Sequence, residues 1–154
     1  MSCHIVFDCD GTLVDTSLPR YALYPSIKNI LTNLSQVANL SVWTARDRLS
    51  TLRILSEHQV SHLFQAIYTS DEEFPKPHVR GLQELTMGTE KSNVFVVGDS
   101  TMDMLGAKNF GAKAIGALWN GQSRKNHLIE AGADFIAASP QECLDWIVSQ
   151  LQDS

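Results

Sequence analysis

Near its start the chain reads Ile5-Val6-Phe7-Asp8-Cys9-Asp10-Gly11-Thr12-Leu13-Val14-Asp15. This is a short apolar run that stops at two carboxylates, Asp8 and Asp10, which flank one small residue and precede a glycine. Such a run before a glycine-containing polar break is typical of a buried strand that ends in a loop. In α/β folds, functional side chains lie in the loops that follow parallel strands. The stretch therefore predicts a strand that carries a pair of acids at its carboxyl end.

Predicted strands and helices alternate along the remainder of the chain. Apolar runs predict further strands at residues 39–43, 66–69, 93–97, 113–118 and 134–136. Apolar residues at helical spacing and capping signals predict helices at residues 25–37, 46–58, 78–85, 101–109, 124–130 and 140–151, and residues 16–24 are predicted to form a loop. This alternation predicts a three-layer Rossmann-like α/β fold, with a mostly parallel central sheet covered by helices on both faces.

Two local features accompany the predicted helices. Ser26 is a candidate for the N-cap of the first helix. Leu49, Leu52 and Leu55 recur every third residue and supply the apolar positions of the second helix.

Length and composition favour an ordinary folded protein. The 154 residues are 44% hydrophobic and 19% charged, which predicts one domain over residues 1–154. The net charge of -5 argues against nucleic acid as a partner. We expect a cytoplasmic protein without a membrane segment, because no apolar run reaches the length of about 20 residues that spans a bilayer and no signal peptide is evident. Cys3, Cys9 and Cys143 lack the spacing of a zinc site and are expected to be reduced thiols.

Polar side chains follow four of the predicted strands, and in a parallel sheet such positions share one edge. These residues are Asp8 and Asp10, Thr44, Lys76, and Asp99 with Asp103. Two carboxylates about 4 Å apart repel by about 4 kcal/mol at an effective dielectric constant near 20, so the cluster calls for a cation. All-oxygen ligands favour Mg²⁺, which proteins usually hold together with a phosphate group of the substrate. The edge therefore predicts a phosphate site, with a hydrogen bond from Thr44 and a positive charge from Lys76.

The same carboxylates could perform the chemistry. A carboxylate with one oxygen on the metal and the other free is placed to attack phosphorus and form an aspartyl-phosphate. The second carboxylate, two residues further on, could transfer protons.

Four motifs, taken together and in order, resemble those of the haloacid dehalogenase (HAD) superfamily. They are the segment from Asp8 to Asp15, Thr44 at a strand end, Lys76-Pro77, and Gly98-Asp99-Ser100 with Asp103. Ala107, Gly111 and the run from Ala114 to Trp119 resemble its phosphoglycolate-phosphatase-like branch. The similarity covers about residues 4–121.

This resemblance implies a phosphatase and a role for each residue of the edge. Asp8 would be the nucleophile and Asp10 the general acid and base, while Thr44 and Lys76 would bind the phosphoryl group. Asp8, Asp99 and the backbone carbonyl of Asp10 would hold Mg²⁺. Asp103 would support the site from the outer shell of the metal or by contact with Lys76.

The chain departs from this branch in the room that it leaves for a cap. Members of the branch usually insert a helical cap after the first motif, whereas residues 16–39 allow only a loop and one helix. We therefore expect an open site, a small phosphorylated substrate or a phosphorylated macromolecule, and a lid supplied by a homo-oligomer if there is one. Arg46 and Arg48 are candidates for contact with an anionic substrate, and His78 follows the lysine motif where the branch has other residues.

Two other functions fit parts of the pattern. A receiver-like signalling domain also combines acids, a threonine and a lysine at one sheet edge, but its phosphoacceptor follows the third strand, where this chain has no isolated aspartate. The other alternative is a regulatory or binding subunit that retains the site and has lost useful activity.

Overall fold

The computed structural model describes residues 2–153. Its strands are, in chain order, β1 (His4–Phe7), β2 (Val14–Asp15), β3 (Ala22–Leu23), β4 (Asn39–Trp43), β5 (Ala66–Tyr68), β6 (Val94–Gly98), β7 (Lys113–Ala117) and β8 (Phe135–Ala137). Its α-helices are α1 (Ile27–Ser35), α2 (Arg48–Glu57), α3 (Arg80–Leu85), α4 (Thr101–Phe110), α5 (Lys125–Glu130) and α6 (Pro140–Gln152), and short 3-10 helices lie at Ser61–Leu63 and Lys91–Asn93. None of these helices is both long and apolar enough to cross a membrane.

Six of the strands form one sheet in the order β5-β4-β1-β6-β7-β8, and each neighbouring pair is parallel. The first strand of the chain therefore lies inside the sheet, where its residue Phe7 is in register with Val42 on one side and Val97 on the other. All four residues of β1 are buried. This arrangement confirms the predicted Rossmann-like α/β fold with a parallel central sheet.

Apolar side chains cover the sheet on both faces and form two clusters. Helices α1, α2 and α6 supply one cluster with residues such as Leu31, Leu55 and Ile147. The other cluster contains Leu82 and Met104 from the helices on the opposite face. The result is three layers in which the carboxyl ends of the strands remain free for polar side chains.

The prediction of a loop over residues 16–24 is wrong at its end. Ala22–Leu23 forms strand β3, which pairs antiparallel with Val14–Asp15. The backbone amide of Tyr24 extends this pairing by donating to the carbonyl of Leu13 over 3.1 Å. A strand of two residues is too short to show a hydrophobic period, so the sequence gives no signal for it.

Two predictions about helices also need correction. Ser26 precedes α1, but its φ of 72° is left-handed and its side chain makes no capping hydrogen bond, because a capping side chain normally requires an extended backbone. In α2, Leu49 and Leu52 are 68% and 41% exposed. The inward face of that helix is formed by Thr51, Ile54 and Leu55, which follow the spacing of three and four residues that one face of a helix requires.

Candidate active site

The turn after β1 presents the first two acids. The amide of Asp8 donates to the carbonyl of Val97 over 2.9 Å and so continues the sheet beyond Phe7. Gly11 then turns the chain with a φ of 81°, and a side chain at this position would collide with the carboxylate of Asp99. A positive φ and a close approach both require glycine, so Gly11 allows the first loop to pack directly against the loop after β6.

The loop after β6 is fixed by hydrogen bonds at the start of α4. Ser100 and Asp103 form a capping box, in which each side chain bonds the backbone amide of the other. Gly98, the last residue of β6, leaves the space that the Asp103 carboxylate occupies. This packing holds Asp103 fully buried beneath the edge of the sheet.

Five of the six predicted site residues line a cavity of about 640 Å³ at the carboxyl edge of the sheet. They are Asp8, Asp10, Thr44, Lys76 and Asp99. Asp103 does not line this cavity, but its carboxylate contacts the ammonium of Lys76, which does. The structure therefore brings together residues that are up to 95 positions apart in the chain, from the ends of β1, β4 and β6 and from the loop after β5.

Lys76 lies between two carboxylates in a buried position. Its ammonium is 3.0 Å from Asp8 and 2.5 Å from Asp103, and its side chain is only 3% exposed. It also donates to the carbonyl of Trp43 over 3.0 Å and lies over the ring of that residue. Burial by itself lowers the pKa of Lys76, but the carboxylates of Asp103 and Asp8 outweigh this effect and raise its pKa above the usual value. The lysine is therefore held as a cation.

The Asp8 carboxyl is largely buried and faces other acids. Burial raises the pKa of Asp8 well above its usual range, the carboxylates of Asp103 and Asp99 raise it further, and the Lys76 ammonium opposes them. Carboxylate oxygens of Asp8, Asp99 and Asp103 lie within 4.8 Å of one another. An all-oxygen group of this kind suits Mg²⁺ and not a softer metal, so the residues present fit the predicted ion.

Asp10 has a partner of its own. Both of its carboxylate oxygens accept hydrogen bonds from the guanidinium of Arg46, at 2.8 Å and 2.9 Å. Hydrogen bonding to Asp10 raises the pKa of Arg46 above its usual value. The sequence indicated Arg46 only as a candidate for substrate contact, because a pair 36 residues apart leaves no signal in a single sequence.

Thr44 is buried at the end of β4, where its hydroxyl accepts a hydrogen bond from the amide of Arg46 over 3.0 Å. The following helix is capped by Asp47 and not by Thr44, since the Asp47 side chain accepts from the amide of Ser50. The Thr44 hydroxyl therefore remains next to Asp8 and Lys76 in the cavity, with its own hydrogen available for donation.

Sequence reasoning missed Asn120, which lies in the loop after β7. Its side-chain amide donates to the carboxylate of Asp99 over 2.9 Å and to the carbonyl of Gly11 over 3.3 Å. The Asn120 side-chain oxygen accepts from the amides of Gln122 and Ser123, which fixes its orientation. Asn120 thus links the loops that carry the first and last acids. The only signal in the sequence is its position after a strand of the same sheet.

Three other residues considered from the sequence lie outside the cluster. Arg48 bonds Glu72 at 2.6 Å, and the exposed His78 accepts from the amide of Arg80 over 3.0 Å. Cys9 is fully buried, and burial together with Asp10 and Asp8 raises the pKa of its thiol. Because the thiolate is the reactive form, Cys9 is unsuited to act as a nucleophile, although it lies between the two acids.

Comparisons with known proteins identify the family and the fold of the chain. Residues 18–117, which follow Asp8 and Asp10, match the family described as Haloacid dehalogenase-like hydrolase. The chain is similar to the phosphoglycolate phosphatases of Vibrio parahaemolyticus, with 28% identity over 80% of this chain and 55% of the relative, and of Vibrio cholerae, with 30% identity over 75% of this chain and 52% of the relative. The chain thus spans about half the length of these curated relatives. A haloacid dehalogenase-like family protein from Streptococcus pneumoniae shares its fold, with a TM-score of 0.83 over 94% of this chain and 98% of that one, at 21% identity.

The fold and the site together define a Rossmann-like α/β protein with an acidic, cation-compatible cavity at the carboxyl ends of its strands. More specifically, the chain belongs to the haloacid dehalogenase-like hydrolase family. The resemblance inferred from the four motifs is therefore confirmed.

Proposed function

We propose that the protein is a Mg²⁺-dependent phosphatase that hydrolyses a small phosphate monoester through an aspartyl-phosphate on Asp8. The observation that carries this proposal is the position of Asp8 in the cavity, 3.0 Å from the buried Lys76 ammonium and close to Asp99. A carboxylate in this position has a cation beside it to attract a phosphate group. The relatives named phosphoglycolate phosphatase support phosphate-ester chemistry.

Lys76 and Thr44 bind the phosphate in this proposal. The Lys76 ammonium lies in the wall of the cavity, and the Thr44 hydroxyl can donate to a phosphate oxygen. Both groups can therefore stabilise the negative charge on the phosphoryl oxygens during the transfer. Asp103 keeps Lys76 charged and in place through the contact at 2.5 Å. Its part is therefore to position the lysine and not to touch the substrate.

The first step joins an Asp8 oxygen to phosphorus and breaks the bond between phosphorus and the ester oxygen. Asp10 donates a proton to that leaving oxygen. Because Arg46 engages both oxygens of Asp10 in this structure, donation requires Arg46 to release one of them. In the second step Asp10 takes a proton from water, the water oxygen attacks phosphorus, and the bond to Asp8 breaks to give inorganic phosphate.

The proposed Mg²⁺ ligands are Asp8, Asp99 and the backbone carbonyl of Asp10. When bound, the ion would neutralise the phosphate oxygens and lower the repulsion between phosphate and carboxylate. Asn120 holds the Asp99 carboxylate in place from behind, as residues that contact metal ligands commonly do.

An Asp8→Asn variant tests the proposal, because it removes the nucleophilic charge and keeps the side-chain shape. We expect wild type to release several equivalents of p-nitrophenol per protein from p-nitrophenyl phosphate with Mg²⁺ present, and the variant to release none above background. Asp145→Asn on the exposed side of α6 is the matched control and should retain wild-type turnover.

Three results would contradict the proposal. Substantial multiple turnover by Asp8→Asn would exclude Asp8 as the nucleophile. Wild-type protein that retains one phosphate per chain without turnover would instead favour a receiver-like phosphoacceptor, and no reaction with a broad panel of phosphate esters would favour a regulatory or binding subunit.

A further inference from the structure

A second cavity adjoins the catalytic one. It has a volume of about 780 Å³ and lies between the segment around Tyr21, just before β3, and helix α2. Arg46 lines this cavity and also the cavity that contains Asp8. The two spaces therefore meet at the arginine whose guanidinium holds Asp10.

The two cavities differ in charge. The catalytic cavity is lined by Asp8, Asp10, Asp47 and Asp99 with few cations. Half of the six arginines of the chain line the second cavity, where the one carboxylate among the lining residues is that of Glu57; they are Arg20, Arg46 and Arg53. These arginines stand together although the chain as a whole has a net charge of -5. The second cavity thus offers positive charge to a ligand outside the catalytic cavity.

Two of these arginines are free to bind an anion. The charge of Arg46 is matched by Asp10 at 2.8 Å. Within residues 2–153, neither Arg20 nor Arg53 forms an ion pair with a carboxylate, including Glu57 one turn further along α2. Both side chains are exposed to solvent in the cavity wall, so an arriving anion does not have to displace an existing partner.

Contacts between the walls fix the shape of this cavity. The ring of His58, after the end of α2, forms a hydrogen bond of 2.8 Å with the carbonyl of Tyr21. The guanidinium of Arg46 lies over the Tyr21 ring at 4.9 Å from its centre. These contacts join the segment that carries Arg20 to the helix that carries Arg53. The two free guanidinium groups are therefore presented on walls that are tied together.

The position of Asp10 connects this cavity to the proposed reaction. In the proposed reaction Asp10 protonates the leaving oxygen, so the organic group attached to that oxygen would start beside Asp10, whose partner Arg46 lines both cavities. We infer that the second cavity receives this organic group and selects phosphate esters that carry a second anionic group, a carboxylate or a phosphate. This inference rests on the proposed function. An anion in the cavity also gives Arg46 an alternative partner, which would release the Asp10 oxygen that proton donation needs.

Binding of hydrolysis-resistant phosphonates tests the inference without the need for turnover. The probes have chains of two to four carbons and end in a methyl, a carboxylate or a second phosphonate, and their affinities are measured by calorimetry with Mg²⁺ present. We expect the anionic ends to bind about tenfold more tightly than the methyl end at the chain length that reaches the arginines, because each charge-assisted hydrogen bond contributes appreciably to affinity. The ratio of the two affinities is the measured quantity, and the carboxylate and phosphonate ends show which anion is preferred.

Charge variants assign the preference to this cavity. Arg53→Gln and Arg20→Gln should each lower the ratio, and the double variant should bring it close to one, whereas Glu57→Gln should raise it. Lys28→Gln removes one exposed charge from α1, outside the cavity, and should leave the ratio unchanged. Equal or unmeasurable binding of all end groups, or a preference that survives loss of both arginines, would overturn the inference. If the preference is found but no phosphate ester is hydrolysed, the proposed function fails and the anion cavity stands.

Discussion

Replacement of Lys76 by methionine tests how far the candidate site contributes to stability. The substitution keeps most of the side-chain length and removes the ammonium that lies 2.5 Å from Asp103 and 3.0 Å from Asp8. At an effective dielectric constant near 20, two opposite charges 2.5 Å apart attract by about 7 kcal/mol before the cost of desolvation is counted. The measured loss on breaking a buried pair is smaller, about 3–5 kcal/mol, because the lysine no longer has to be desolvated.

We therefore expect Lys76→Met to lower the free energy of unfolding by about 3–5 kcal/mol. The assay is urea denaturation at pH 7 in the presence of a chelator, so that no divalent ion compensates the two carboxylates. Lys108→Met is a matched control, because Lys108 is also 3.0 Å from a carboxylate but both partners are more than one third exposed. An exposed pair is worth about 1 kcal/mol or less, so the control should change stability little.

A second substitution identifies the cause of the loss. Adding Asp103→Asn to Lys76→Met removes the buried carboxylate that has lost its partner, so the double variant should be more stable than the sum of the two single losses predicts. Equal destabilisation by Lys76→Met and Lys108→Met would show that burial of the Lys76 pair does not cause the loss. Strict additivity of Lys76→Met and Asp103→Asn would show that the unpaired Asp103 carboxylate does not cause it.

Three further predictions concern residues of the central sheet and of the loop after β7. Asn120→Ala removes the hydrogen bond that orients Asp99 and should weaken Mg²⁺ binding by calorimetry about tenfold to hundredfold, with an unchanged affinity as the contrary result. Gly98→Ala places a methyl group against the Asp103 carboxylate and should cost about 1–3 kcal/mol in urea unfolding. Burial lowers the pKa of His4 from 6.5 to about 4, so stability should fall as pH drops from 6.5 towards 4, by about 2–3 kcal/mol at pH 4.5, because the unfolded chain takes up the proton first. A His4→Gln variant should lack this part of the pH dependence.

The central part of the sheet could be predicted from the sequence because β1 and β6 are buried along their whole length. Such strands read as continuous apolar runs, of which Val94–Gly98 is the clearest. Strands β1 and β6 end directly at Asp8 and at Gly98-Asp99, so the positions of these acids relative to the sheet could be predicted from the sequence. Strand β3 was missed because its two residues are only half-buried and have no period to detect.

The partners of the acids were harder to predict than the acids themselves. Asp8 and Asp10 follow the end of β1 directly, so the predicted order of strands is enough to place them at the edge of the sheet. The bonds of Asp10 to Arg46 and of Asp99 to Asn120 depend on side-chain conformations of residues 36 and 21 positions away. A hydrogen bond between residues so far apart in the chain follows from packing and not from a local sequence pattern. The buried face of α2 was hard to predict for the same reason, because the burial of Ile54 instead of Leu52 depends on how the helix is rotated against the sheet.

The charge balance of the active edge shows how these partners fit together. Four carboxylates belong to the candidate site at this edge, and among the described residues two cations are paired with them, since Lys76 lies between Asp8 and Asp103 and Arg46 holds Asp10. Within residues 2–153, Asp99 forms no ion pair, and the neutral amide of Asn120 orients it. With all four carboxylates ionised, these groups carry two uncompensated negative charges, and the carboxylates of Asp99 and Asp8 lie within 4.8 Å of each other. One divalent cation would balance these charges and would also favour the ionised form of Asp8, which supports the proposed Mg²⁺ position between Asp8 and Asp99.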